Sequence, residues 1–276
     1  MAERGTYATV TQLKAQIKIT ATTDDVILLG MLEAASRWIN AHCGRTFYAM
    51  TETRYYGDDD LDFDVPLKLW VDDLLSITTL KCDSALDGTY STTLAVTDYN
   101  LWPNRGYPKL SVILNDETGD YYAWSDGRRS IQIAGTWGYG DKAGASPWLA
   151  VASTGTVATA SVTTLAVTNG ADFEAGNTIL VGTEQMYVTL VTGNNLTVVR
   201  GVNGTTAAIQ NGAAISKAQY PEAVRQACIM IVGRLYKRSE GSFYTSISNP
   251  ITGTIETYKG NDPDVETLLA RFVRLV

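Results

Sequence analysis

The chain has little of what enzymes and secreted proteins use for metal or covalent chemistry. Its 276 residues include three cysteines and one histidine. Cys43, Cys82 and Cys228 are odd in number and far apart, which argues against a disulfide framework and against a metal knuckle. His42 has no second histidine for a histidine-ligated zinc site. Because successive helical side chains diverge by about 100°, His42 and Cys43 do not form a dyad.

An excess of positive charge is also missing. The formal net charge is -7 and the pI is near 4.8, which argues against a protein that grips nucleic acid through its phosphates. No run approaches a membrane span, since Glu33 interrupts the most apolar one, Val26 to Ala35. No secretory signal opens the chain, so we expect the protein to stay in the compartment where it is made.

The clearest pattern that is present is a helix from Pro221 to Arg238. Its apolar residues keep helical spacing: Val224, Ala227, Cys228, Ile231, Val232 and Leu235. The best partner lies almost two hundred residues upstream, in Asp24 to Cys43, where another stripe consists of Leu28, Leu32, Ala35 and Ile39. We predict that these two helices pack together and that the chain between them leaves this core and returns.

Two shorter helices are predicted near the ends of the chain. Thr9 or Thr11 can cap one that runs through Leu13 and Ile17. Asp262 can cap a second one, from Pro263 to Leu275, whose stripe is Val265, Leu268, Leu269, Phe272 and Val273.

Between these helices the pattern changes to short strands. From Thr46 onward, β-like runs include Leu67 to Val71, Ile77 to Leu80, Leu110 to Leu114 and Ser130 to Thr136. Asp83 to Tyr90 is predicted to be a loop that turns at Asp87-Gly88.

A shift in composition marks the segment from Leu149 to Lys217. Only five of its residues are charged: Asp172, Glu174, Glu184, Arg200 and Lys217. Alternating strands are predicted at Thr164 to Thr168, Thr178 to Val181, Glu184 to Val191 and Leu196 to Arg200. We therefore predict an α+β protein: a small helical core domain with β-hairpins, formed by residues 1–148 and 218–276, and an inserted all-β domain, 149–217. The expected connections are Ser146 to Gly155 and Gly212 to Gln219.

The stretch from Ser239 to Gly260 is polar and rich in Gly, Ser and Thr, yet apolar residues recur along it. It is either a mobile loop or an arm that becomes ordered on a partner.

Candidate sites for chemistry are few. Asp58, Asp59, Asp60, Asp62 and Asp64 could ligate a hard cation such as calcium, and a metal-dependent enzyme would centre on them. They do not fit an EF-hand loop, so a solvated acidic turn is the preferred interpretation. The sequence Gly135-Thr-Trp-Gly-Tyr-Gly has the wrong order for a dinucleotide loop and fits a strand that ends in a turn. We find no catalytic constellation and predict no cofactor.

A glycan-binding, baseplate or tail accessory module is a second alternative. Such modules stack aromatic rings on sugars, and the candidate aromatics are Tyr121, Tyr122, Trp124, Trp137 and Tyr139. Packing in the core or at a subunit interface is the preferred interpretation of these residues.

The order of motifs resembles phage head-tail connector (adaptor) proteins over roughly residues 5–147 and 218–276. The motifs that carry the resemblance occur in the expected sequence: Tyr7-Ala-Thr-Val-Thr-Gln-Leu-Lys, Thr23-Asp-Asp, Leu32-Glu-Ala-Ala-Ser-Arg-Trp-Ile, Cys43-Gly-Arg-Thr-Phe, Leu74-Leu-Ser-Ile-Thr-Thr-Leu-Lys, Asp87-Gly-Thr-Tyr, Thr97-Asp-Tyr-Asn-Leu-Trp-Pro, Ile133-Ala-Gly-Thr-Trp-Gly-Tyr-Gly, Ala223-Val-Arg-Gln-Ala, Arg234-Leu-Tyr-Lys-Arg and Asp262-Pro-Asp-Val. The small members of the family lack the Leu149 to Lys217 insertion, whose Arg200-Gly-Val-Asn-Gly-Thr-Thr resembles β-modules of phage structural proteins.

The resemblance implies a non-enzymatic virion protein of the phage neck, assembled in the host cytoplasm. Such a protein joins the portal vertex as a ring, commonly of twelve subunits, and extends the DNA channel, through which DNA passes without specific binding. It presents a surface for a head-closure (stopper) protein or a tail-terminator protein, and it has no membrane partner. We expect the arm and the terminal helix to contact the portal, through Phe243, Tyr244, Ile247, Ile251, Ile255, Tyr258, Arg271, Phe272 and Arg274.

Overall fold

The computed structural model describes residues 4–139, 146–240, 246–249, 254–257 and 262–274. The described part is α+β, as predicted, with helices, many antiparallel strands and an all-β portion. Its four α-helices are α1 (Val10–Ile17), α2 (Asp25–Cys43), α3 (Glu222–Glu240) and α4 (Pro263–Leu269).

The first two helices begin and end at signals that the sequence carries. The Thr9 hydroxyl accepts the Gln12 N–H and the Gln12 side chain accepts the Thr9 N–H, which forms a capping box at the start of α1. Helix α2 ends at Gly44, whose φ of 62° is the left-handed conformation that glycine adopts at little cost. Both predicted boundaries are confirmed.

Helices α2 and α3 pack together, which confirms the central prediction for the core. All four predicted stripe residues of α2 are buried, and Ser36 Oγ lies 3.6 Å from Cys228 Sγ. Further along, the Tyr236 hydroxyl donates to Asp24 at 3.0 Å. On α3 two predicted stripe residues, Ile231 and Leu235, are only half-buried, whereas Ile229 is buried although it was not in the predicted stripe.

Helix α4 is shorter than predicted. Asp262 caps it and Pro263 occupies its first turn, as expected, and an Asp262–Arg234 ion pair of 2.6 Å ties its start to α3. The helix ends at Leu269 and continues as a 3-10 turn, Ala270–Phe272, rather than as a helix to Leu275. Val265, Leu269 and Phe272 are buried.

Six strands form the larger antiparallel sheet: β1 (Met50–Tyr56), β2 (Lys68–Cys82), β3 (Thr92–Leu94), β4 (Tyr99–Trp102), β5 (Lys109–Leu114) and β6 (Ile131–Trp137). The order is β1-β6-β2-β5-β4, and β3 pairs with β2. The two runs predicted around Leu69 and Leu80 are one long strand, β2. It continues through Asp73, whose buried carboxylate lies 3.6 Å from the Arg45 guanidinium.

Six further strands close a barrel: β7 (Trp148–Val157), β8 (Thr164–Val167), β9 (Thr178–Val181), β10 (Glu184–Thr192), β11 (Asn195–Val199) and β12 (Gln210–Ala218). Their order is β10-β11-β8-β7-β12-β9. The four strands predicted in this segment are confirmed. The two stretches predicted to connect this segment contain β7 and β12, which are neighbours in the barrel.

A separate hairpin lies within the stretch predicted to be an arm. Strands β13 (Ser246–Asn249) and β14 (Thr254–Thr257) pair antiparallel and form a sheet of their own.

The chain forms two compact units. One contains Arg45–Trp148 and Asn203–Thr205 and is built on the six-stranded sheet. The other contains Arg4–Gly44, Leu149–Val202 and Thr206–Val276, so the helices and almost all of the barrel belong to it. In this second unit Thr6 donates to the Gly176 carbonyl oxygen at 2.7 Å, and the Val10 N–H donates to that of Ala175 at 3.2 Å. The predicted division into residues 1–148 with 218–276 and an inserted domain 149–217 stays a prediction.

Candidate interaction surfaces

The acidic cluster forms a short structured turn. Asp58–Asp60 is a 3-10 turn, and the Asp58 carboxylate accepts the Gly127 N–H at 2.7 Å. Asp62 bonds to the Lys68 ammonium at 3.0 Å, and this hydrogen bond holds the pKa of Asp62 below its ordinary value. Within the described ranges, no group of three or more His, Cys, Asp or Glu residues could hold a metal ion. These contacts favour an acidic turn over a metal site.

The histidine and the cysteines serve packing. His42 stacks on Trp38, with ring centroids 4.9 Å apart and planes 11° from parallel. All three cysteines are buried thiols that form no disulfide with one another. Burial raises the pKa of Cys228 to about 11, so its thiol is not poised as a nucleophile.

Most of the aromatics proposed for glycan binding do not form an exposed row. Trp124 and Trp137 are buried, and their indole N–H groups donate to the backbone oxygens of Leu67 at 2.8 Å and Glu52 at 3.1 Å. Of the five candidates only Tyr122 is exposed. The preferred interpretation, core packing, is confirmed for the two tryptophans.

A different pair of tryptophans is exposed. Trp70 on β2 and Trp102 on β4 both pair with Ser111 on the intervening strand β5. Directly paired residues project to the same face of a sheet, so the two indoles flank Ser111. Ser111 is fully buried, while Trp70 and Trp102 remain 44% and 49% exposed. The sequence carries a signal for the exposure of Trp70. The two-residue period of a strand places its neighbours Leu69 and Val71 on the inner face, and Trp70 therefore on the outer face.

The Arg200-Gly-Val-Asn-Gly-Thr-Thr motif organises one end of the barrel. The Arg200 guanidinium makes two bonds of 2.7 Å to the fully buried Glu184 carboxylate. It also donates to the backbone oxygens of Thr159, Val162 and Ala208. Burial favours the neutral acid, but the hydrogen bonds from Arg200 and from two backbone N–H groups outweigh it and lower the pKa of Glu184. Arg200 of this motif therefore forms a structural ion pair with Glu184, and further hydrogen bonds satisfy both side chains.

A surface cavity of about 470 Å³ lies beside β1 in the sheet unit. Its wall includes Tyr55 and Tyr90, whose ring centroids are 5.5 Å apart, and the Arg129 guanidinium, 4.1 Å from the Tyr55 ring. Asp83 also lines it and accepts the Gly88 N–H at 2.8 Å. Because charges of both signs line the cavity, its chemistry does not select one class of ligand.

The predicted portal-contact residues fall into three groups. Phe243, Tyr244, Ile251 and Tyr258 lie outside the described residues. Ile247 and Ile255 belong to β13 and β14.

The remaining three follow α4. Arg271 is exposed, and its guanidinium lies 4.5 Å from the centroid of the Phe272 ring. Phe272 is fully buried, so its side chain stabilises the helical unit and is not available to a partner. The Arg274 N–H donates to the Cys43 backbone oxygen at 2.9 Å, which ties this end of the chain to α2.

Comparison with known families gives a match to the N-terminal third of the chain. The family model of phage gp6-like head-tail connector proteins matches residues 7–97, the part that contains α1, α2 and the first strands of the sheet. The resemblance to head-tail connectors is therefore confirmed over these residues. The match supports a structural role in the neck of a phage virion, with neighbouring head and tail proteins as partners.

None of the curated proteins compared with the chain matches it. In the part of the chain that the structure describes, no helix is long and apolar enough to cross a membrane.

Proposed function

We propose that the protein is a phage head-tail adaptor that docks as a ring, commonly of twelve copies, on the portal vertex. In this position it extends the DNA channel and presents the attachment surface for a head-closure, stopper or tail-terminator protein. The single observation that carries the proposal is the match of residues 7–97 to the connector family. Catalysis is not part of the proposed role.

The charge of the chain supports a role as a channel wall. A formal net charge of -7 disfavours tight contact with phosphates, so packaged DNA can pass without being held. A closed ring also requires two different, complementary surfaces on each subunit.

The portal contact is assigned to the arm Ser239 to Gly260 and to the exposed Arg271 that follows α4. Two paired strands of four residues each are marginal in water without further strands or a packed helix. A hairpin of this kind gains most from a partner, which supplies the missing main-chain and side-chain contacts.

Internal replacement of the arm tests this assignment. Truncation after Glu240 is unsuitable, because it would also remove the buried Val265, Leu269 and Phe272 from the helical unit. Replacing 241–261 by about eight Gly/Ser residues, a reach of roughly 25 Å, retains α4 and its Arg234 ion pair. We expect this variant to keep the circular dichroism of the wild type and to lose co-sedimentation with the portal.

A matched control distinguishes loss of the arm from general damage. Exchanging the surface loop 84–89, which is exposed in the sheet unit, for Gly/Ser residues should leave portal binding unchanged. Undiminished portal binding by the arm variant would remove the assignment of the arm.

A further inference from the structure

Strand β4 ends the six-stranded sheet and has a free edge. One side of β4 pairs with β5, from Tyr99 opposite Leu114 to Trp102 opposite Ser111. On its other side no strand of the described residues pairs with it. A free edge presents unpaired N–H and C=O groups that can accept a further strand.

The side chains beside this edge resemble an interface rather than a solvated surface. Trp102, the last residue of β4, is 49% exposed, and Trp70 lies two strands further in on the same face. The Lys68 ammonium lies 3.5 Å from the Trp70 ring centroid, which covers part of one indole face. Exposed tryptophans are enriched where proteins meet and are frequent hot spots of binding.

The β13–β14 hairpin also has strand edges that are unpaired in the described residues. Both of its strands are four residues long, as is β4, and neither pairs with another strand of the described chain. Addition to a sheet edge would give the hairpin a third strand and would cover the free edge of β4 at the same time.

We propose that the occupant of the β4 edge is the β13–β14 hairpin of a second copy of this chain. The inference rests on the proposed ring and names the contact that closes it. The two surfaces come from different parts of the sequence, so the contact is head-to-tail and can repeat around a closed ring. A hairpin has two edges, and pairing one with β4 of the next copy leaves the other for the portal.

Cross-linking between two differently tagged chains, each with one added cysteine, tests the proposal. One chain carries Asn100→Cys on β4 and the other carries Thr257→Cys on β14, and the native cysteines are buried and react poorly. Neighbouring strands lie about 5 Å apart, so a short bismaleimide reaches across the pair in either register. After assembly on the portal we expect a covalent dimer that contains both tags.

The controls separate this proposal from the proposed function. Thr89→Cys in place of Asn100→Cys lies in an exposed loop and should give no mixed dimer. Rings that assemble on the portal without the mixed dimer would overturn the β4–hairpin contact and leave the adaptor function intact. Absence of rings would overturn both. Cross-linking within a doubly substituted chain at high dilution would show that the contact is intramolecular, which also overturns the proposal.

A second pair of variants tests the tryptophan face. Trp102→Ser should weaken ring assembly at least tenfold, because it removes the aromatic surface beside the added strand. Tyr122→Ser changes an exposed aromatic of the same unit that is not part of β4, and it should leave assembly unchanged. Equal assembly by both variants would contradict a role for this face.

Discussion

At the scale of single residues, the helical core depends on a few buried positions of α3. Val224, Ala227, Cys228 and Val232 are buried, as helical periodicity predicts. Ile231 is half-buried despite fitting the same stripe, because spacing identifies a face of the helix and not its most enclosed line.

Val232→Asp should therefore be the disruptive substitution on α3. It places a carboxylate with no provided partner at a fully buried position, and we expect a loss of about 3–5 kcal/mol in the free energy of unfolding. Ile231→Asp is the graded comparison and should cost clearly less. Urea unfolding of both variants measures the difference, and equal midpoints would contradict the packing of α2 on α3.

The barrel contains a second position at which one residue is decisive. Glu184→Gln removes the charge that balances Arg200 and should cost about 3 kcal/mol, because it leaves a buried guanidinium without its carboxylate. Glu222→Gln is the matched control, since the Glu222–Arg225 pair is on the surface of α3 and is worth about 1 kcal/mol or less.

This ion pair also predicts a pH dependence. The folded-state pKa of Glu184 is lower than the ordinary 4.5, so its contribution is fully present above that value and is lost as the pH falls through the folded-state pKa. Thermal melts between neutral pH and pH 3 should show a shallower decline for Glu184→Gln than for the wild type. An identical decline for both proteins would argue against this linkage.

At the scale of elements, periodicity and capping predicted what local sequence controls. The helices, strands β8 to β11 of the barrel and the Asp83 to Tyr90 loop follow from spacing, caps and turn residues. The sequence pattern does not predict strands β7 and β12. Ala, Ser, Thr and Gly dominate both runs, and this composition is typical of connecting segments. They become strands because they pair with each other, and because β7 also pairs with β8 and β12 with β9. These pairings close the barrel and leave no free edge.

The interaction surfaces were predicted less well than the fold. The aromatics chosen from sequence included two core tryptophans, since composition alone does not distinguish a buried ring from an exposed one. Trp70 and Trp102 become a pair only through the cross-strand register with Ser111, and single-sequence patterns do not specify that register. Phe272 is buried, as its place in the apolar stripe of the terminal helix indicates, although it was also assigned to the portal contact.

Replacing residues 149–217 by a short linker tests whether the barrel segment is a separable insertion. We expect a soluble protein with intact helical circular dichroism. It should be less stable by about 3 kcal/mol, because Thr6, Val10 and the Thr51 N–H lose their acceptors on Gly176, Ala175 and Asn203, at roughly 1 kcal/mol each. Global unfolding of the variant would show that the segment belongs to the main core.

At the scale of the whole molecule, the proposed contact surfaces are spread over several parts of the chain. The connector match covers α1, α2 and the start of the sheet, including Trp70, while Trp102, the open β4 edge and the β13–β14 hairpin lie beyond its end. Ring contacts near 800 Å² per partner can be too weak to form without a template. We therefore expect the proposed ring to form only on the portal, so the proposal is tested with the portal present.

The most direct measurement is the mass and symmetry of the complex formed when the purified protein is mixed with its portal. Electron-microscope images and native mass determination report both quantities in one sample. We predict a closed ring stacked on the portal, with a copy number that matches the portal's own symmetry. A protein that stays monomeric at high concentration with the portal present would contradict it.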